Sequence, residues 1–182
     1  MYKNTKQGYG LISITIHWLS AIAIIGLFAL GYWMVGLDYY SEWYRTGPHI
    51  HKSVGLLLLL LTVFRLFWKL FNDNPSALND NKLEAKASYI AHLLLYALML
   101  VILISGYLIS TADGRGIEVF NWFTLPSLGE LFVNQEDIAG VIHEYTAYTI
   151  IGLALLHALA ALKHHFIDRD NTLTRMLKPI IK

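Results

Sequence analysis

No charged side chain lies between Lys6 and Asp38, and the apolar run Leu11 to Val35 inside that gap is long enough to cross a hydrocarbon core of roughly 30 Å as a helix. Three comparable runs follow, at about 49–70, 87–112 and 138–162. All four are continuous rather than alternating in polarity, so a closed barrel does not fit and the backbone must satisfy its own hydrogen bonds as helices. Lys3 and Lys6 give the first run a basic flank like that of a secretory signal, but the run is longer than a signal's apolar region and no small-residue cleavage site closes it. The expected fold is an all-α membrane protein with a four-transmembrane-helix bundle, forming a single domain over 1–182.

Composition agrees with that reading. Of the 182 residues, 55% are hydrophobic and only 15% charged, where a soluble chain carries about a quarter charged residues. A net charge of +1 argues against nucleic acid as a partner and leaves membrane lipid as the expected environment. Without cysteine there is no disulfide framework, no thiolate cluster and no covalently attached haem, so any metal has to be held by His, carboxylate or Met.

Orientation follows from Lys and Arg. Eleven of the fourteen fall in the two chain ends and the second connection with its helix ends, including Arg65, Lys69, Arg175 and Lys182. The other two connections hold only Arg45, Lys52 and Arg115, against Asp38, Glu42, Asp113, Glu118, Glu130, Glu136 and Asp137, with Glu144 just inside the fourth span. Both termini are therefore expected to be cytoplasmic, as an even number of spans requires. Segment 71–86 reads as polar and turn-rich. Segment 113–137 keeps Phe120, Trp122, Phe123, Leu128, Leu131 and Phe132 and reads as a short amphipathic piece on the membrane surface. Trp18, Trp33, Trp43, Trp68 and Trp122 fall near span ends, where an interfacial belt explains them.

An ionisable group inside a bilayer is costly and marks function by default. Sorted by depth, His51 and His143 lie on the outer side, and His17, His92 and His157 on the cytoplasmic side. His143 and His157 are 14 residues apart, close to four helical turns, so their rings project from nearly one face with roughly 21 Å of rise between them. One helix thus offers an imidazole to each layer, and a buried metal porphyrin takes two axial imidazoles from facing helices. His51 is the outer partner and His17 an inner one, although depth alone leaves open which two of His17, His92 and His157 pair. For any one histidine in isolation a cross-helix hydrogen bond is the stronger reading; four at two matched depths favour ligands. Arg65, 14 residues after His51, falls on the same face one layer deeper, where it either neutralises haem propionates or snorkels to headgroups. Gly55 leaves room for a flat macrocycle or for close helix packing. His49 precedes the second span, which opens at Pro48, and competes with His51; His164 and His165 fall past the membrane end and read as solvated.

Ile-His-Trp-Leu at 16–19, His-Ile-His-Lys-Ser-Val-Gly at 49–55, Ala-His-Leu-Leu-Leu-Tyr at 91–96, and His143, His157, His164-His165, Asp170-Asn171-Thr172-Leu173 and Arg175-Met176 together resemble the bacterial cytochrome b561 family of small di-haem membrane cytochromes. The resemblance covers nearly the whole chain. It implies two non-covalent haem b groups, ligated by His17 with His157 and by His51 with His143, and leaves His92 without a ligand role. It also implies respiratory electron transfer in the bacterial inner membrane with a ubiquinone-type partner. Some members oxidise superoxide at the outer face, but an anion needs a positive mouth, and the outer connections here hold three cations against seven or eight carboxylates.

Two other functions compete with an autonomous carrier. One is a cytochrome b anchor subunit that relays electrons between quinone and a separate dehydrogenase, hydrogenase or reductase, with an electron donor the sequence does not name. The other is a non-redox bundle with a His-lined ion path, which the Leu, Ile and Ala of the mid-helix regions disfavour. Pyridine haemochrome analysis of purified protein is expected to give two haem b per chain, and colourless cofactor-replete protein would leave only the ion path.

Overall fold

The computed structural model describes residues 1–76, 78 and 81–179. Four helices dominate: α1 (Leu11–Met34), α2 (Trp43–Leu70), α3 (Lys82–Thr111) and α4 (Gln135–Phe166), with a hairpin of β1 (Ile117–Val119) and β2 (Phe123–Leu125) before α4 and a 3-10 turn (Thr174–Met176) after it. All four helices are long and apolar enough to cross a membrane. Lys182, counted among the tail cations, and Ala77, Asn79 and Asp80 of the second connection lie outside the described residues.

Helix ends depart from the hydropathy pattern where polar caps start a helix ahead of its apolar run. Asn81 Oδ1 accepts from the Leu83 and Glu84 N–H groups at 3.0 and 3.5 Å, so α3 begins at Lys82 rather than near 87. Ser41 Oγ accepts from Trp43 N–H at 3.2 Å and starts α2 six residues before the expected boundary. Pro48 consequently sits in the second turn of α2, not at its opening. At the far end, α4 continues through His164 and His165 to Phe166.

The chain divides into two compact units. Residues 1–21, 61–97 and 152–182 form the first, called here the terminal unit; 22–60 and 98–151 form the second, the hairpin unit. In the hairpin unit, 113–137 contains a β-hairpin. Ile117 pairs with Leu125 and Val119 with Phe123, and Phe120 and Asn121 turn the chain with φ of 44° and 61°. Alternation buries Ile117 and Val119 against Leu56 and leaves Glu118 exposed. The segment is thus amphipathic as expected, but with the period of a strand. Ser53, fully buried on α2, ties it down: its Oγ accepts from Phe120 N–H at 3.2 Å and donates to Glu118 O at 3.4 Å. Buried Gln135 opens α4, accepting from Leu131 N–H at 2.7 Å and donating to Leu108 O at 2.9 Å.

In the terminal unit both chain ends fold onto the helices. Asn4 Oδ1 accepts from Gly10 N–H and Ser13 Oγ–H, and Trp68 Nε1 donates to Ser13 Oγ at 3.0 Å. Trp18 Nε1 donates to Met176 O at 2.6 Å and fixes the 3-10 turn. Two of the tryptophans placed in an interfacial belt are therefore also cross-element donors. His164 is not simply solvated: its Nδ1 lies 3.0 Å from Asp168 and 2.9 Å from Asp170, a carboxylate turned toward it by the backbone at Thr172.

Replacing Ser53 with Ala leaves the part-buried Phe120 N–H without its side-chain acceptor. The expected cost is about 1–3 kcal/mol, read as a lower unfolding midpoint and faster proteolysis within 117–125.

Candidate functional site

In the hairpin unit, α2 carries His51 and α4 carries His143. Their rings face each other with centroids 6.1 Å apart and planes at 66°. His143 Nδ1 lies 2.9 Å from Ile102 O and 3.2 Å from Ser105 Oγ, whose own hydroxyl donates to the same carbonyl at 3.0 Å. A carbonyl only accepts, so Nδ1 holds the ring proton and Nε2 presents its lone pair, the arrangement of a metal-ligating imidazole oriented by its second nitrogen. His51 Nδ1 is buried and has no partner among the described residues.

Glycines make room for both rings. A Cβ on Gly31 of α1 would stand 3.1 Å from His51 Cε1, and one on Gly106 of α3 would stand 3.1 Å from His143 Cε1. Each ring thus rests on a neighbouring helix at a point where any side chain would crowd it. A Cβ at Gly55, the glycine chosen from sequence, would meet nothing within 4 Å, which is space of the kind a macrocycle needs. Gly31 and Gly106 were missed, though each is an isolated glycine inside an apolar helix, a pattern that signals close packing. His49 lies edge-on to Phe120 at 6.2 Å, against the hairpin.

In the terminal unit, His17 of α1 and His157 of α4 stand 6.4 Å apart at 64°. His92 of α3 lies 5.1 Å from His157, and its Nδ1 is 2.7 Å from Ser88 O. These separations discriminate between the pairs. Two imidazoles on opposite sides of one metal, at bonds of about 2.0–2.1 Å, hold their centroids about 6.3 Å apart. The His17–His157 and His51–His143 pairs match that span, while the His92–His157 rings are closer, at 5.1 Å.

Arg65 is brought to the same place as His17, with Nη2 3.0 Å from His17 Nδ1, and its guanidinium lies over Tyr96 at 5.2 Å. Arginine only donates, so in this arrangement His17 Nδ1 accepts and the neutral ring carries its proton on Nε2. For Nε2 to ligate a metal, Arg65 has to turn to another acceptor.

One further group has ligand chemistry. Donor atoms of Glu84, His164 and Asp168 lie within 4.8 Å of one another. The Lys163 ammonium, 2.8 Å from both carboxylates, already supplies their cation.

A family model described as prokaryotic cytochrome b561 matches residues 8–179. The chain belongs to the prokaryotic cytochrome b561 family. Cytochrome b561 homolog 2 of Escherichia coli K12 is 47% identical over 177 residues, covering 97% of this chain and 94% of that protein. The probable superoxide oxidase CybB of Yersinia pestis is 28% identical, with 93% and 95% covered. Cytochrome b562 of Cereibacter sphaeroides is also 28% identical, with 96% and 98% covered. A cytochrome b561 is a membrane electron-transfer protein with b-type haem. The imidazole pairs fit such a group by their separation, by the Nδ1 bond that frees His143 Nε2, and by the glycine gaps behind the rings.

Gly106→Val is expected to push the His143 ring from its seat and lower the haem-to-protein ratio, with Gly106→Ala losing less; equal ratios in both variants and the parent would refute the seat.

Proposed function

We propose that this cytochrome b561 holds two haem b groups, one between His17 and His157 and one between His51 and His143, and carries single electrons across the bacterial inner membrane. The observation that carries this reading is the pair of ring separations, 6.4 and 6.1 Å, each the span of one metal. When bound, such a group supplies one-electron chemistry between ferric and ferrous iron. Held by two imidazoles, the iron would supply electron transfer rather than binding of oxygen or substrate.

The residues around each pair orient and tune. Ile102 O and Ser105 hold the His143 tautomer, and Gly31 and Gly106 set the ring positions. Arg65 exchanges its contact with His17 for a carboxylate of the cofactor, which frees the His17 ring to present Nε2. The charge distribution supports cytoplasmic termini, and the resemblance to quinone-linked members supports a ubiquinone-type partner. Superoxide is the subordinate choice of donor: a relative is called a probable superoxide oxidase, whereas the carboxylates of the first and third connections here would repel an anion. An absence of superoxide-driven haem reduction in purified protein removes it.

His143→Ala and His157→Ala are each expected to lose one haem and keep the other, while His92→Ala keeps both. Two haems retained in both ligand variants would overturn the pairing.

A further inference from the structure

Three cations of the terminal unit stand without a carboxylate among the described residues. Arg65 and Lys69, four residues apart on α2, share a face, and both lie over the Tyr96 ring, at 5.2 and 4.9 Å. Arg175 arrives from the other end of the chain on the 3-10 turn, which the Trp18 indole holds beside His17. Its Nη1 donates to Ser76 O at 2.8 Å, while its Nε is buried with no acceptor among the described residues. No ion pair among the described residues includes Arg65, Lys69 or Arg175.

Tyr9 relates the two arginines to each other. Burial raises its phenol above the ordinary value, the Arg175 guanidinium pulls it down, Tyr96 raises it and Arg65 lowers it, so both guanidiniums lie within electrostatic reach of one hydroxyl. Neighbouring cations favour a counter-charge, and none of the ion pairs among the described residues supplies one to these three. An anion from outside the chain would fill that role. Arginine forks match planar carboxylates in two-point contacts, a lysine adds a point charge, and Tyr9 and Tyr96 offer hydroxyl donors. Arg65 already touches the His17 ring, so the anion belongs next to that imidazole.

We infer that Arg175 and Lys69 join Arg65 to bind the two propionate carboxylates of the haem held at His17 and His157, with the C-terminal turn acting as the clasp that delivers Arg175. This rests on the ligand pairing proposed above. The same three cations would suit the phosphate of an anionic lipid, and the experiment separates the two.

The test is a redox titration of the purified full-length protein, carried out in a His143→Ala background that leaves the His17–His157 haem alone. Arg175→Gln and Lys69→Gln each leave propionate charge uncompensated, which favours the ferric state, so the midpoint potential should fall in both; Arg175→Lys should recover part of the fall. Haem loss in Arg175→Gln with retention in Arg175→Lys supports the inference as well. Equal loss in both would mean a purely structural role, and Lys69→Gln, which leaves the clasp intact, then decides by its potential. Unchanged potentials in Arg175→Gln and Lys69→Gln overturn the inference, and a drop in co-purifying anionic phospholipid alongside them assigns the cations to lipid. The pairing is checked separately: if His157→Ala in the same background keeps its haem, the ligand assignment itself has failed.

Discussion

Hydrocarbon offers an imidazole no partner, so each ring nitrogen inside a membrane helix must be satisfied by protein or by a ligand. That requirement organises the interior of this cytochrome b561. His143 meets it on one side through Ile102 O, which leaves the other nitrogen free for a ligand, with the His51 ring 6.1 Å away. His92 meets it through its own helix, bonding Ser88 O one turn back. The contrast explains how three histidines of similar sequence context in the terminal unit take different parts. Two of them stand a metal's width apart, and the third has turned to its backbone and packed edge-on against His157.

Much of this was legible in the sequence because the bilayer imposes long, uncharged spans that little else produces. The helix cores, the placement of His17, His51, His143 and His157, and the arrival of Arg65 beside a histidine one layer from His51 all follow from spacing at 3.6 residues per turn. The helix starts did not follow, because they depend on single capping side chains, Ser41 and Asn81, set in polar stretches that hydropathy treats as connection. The hairpin was hidden for another reason. Its strands are three residues each, too short for alternation to stand out, and its turn uses left-handed Phe120 and Asn121 in place of glycine.

The choice between His17 and His92 was beyond sequence spacing because both lie at the same depth. The ring separations that support His17 in the proposed pairing come only from side-chain placement. Gly31 and Gly106 were equally inaccessible as ring supports, since each contacts a histidine on a different helix. Arg175 is the extreme case. It is far along the chain from the α2 cations, and the Trp18–Met176 and Arg175–Ser76 bonds tie its turn back to the terminal unit.

The two compact units also differ in when they can exist during synthesis. The residues of the hairpin unit have all been made once Ile151 is added. The terminal unit draws on the first residues and on those beyond 152, including the turn held by Trp18. Its earliest-made histidine must therefore wait in the nascent protein for a partner made near the end. A chain that stops between these points lacks His157 and leaves His17 without the imidazole it stands beside.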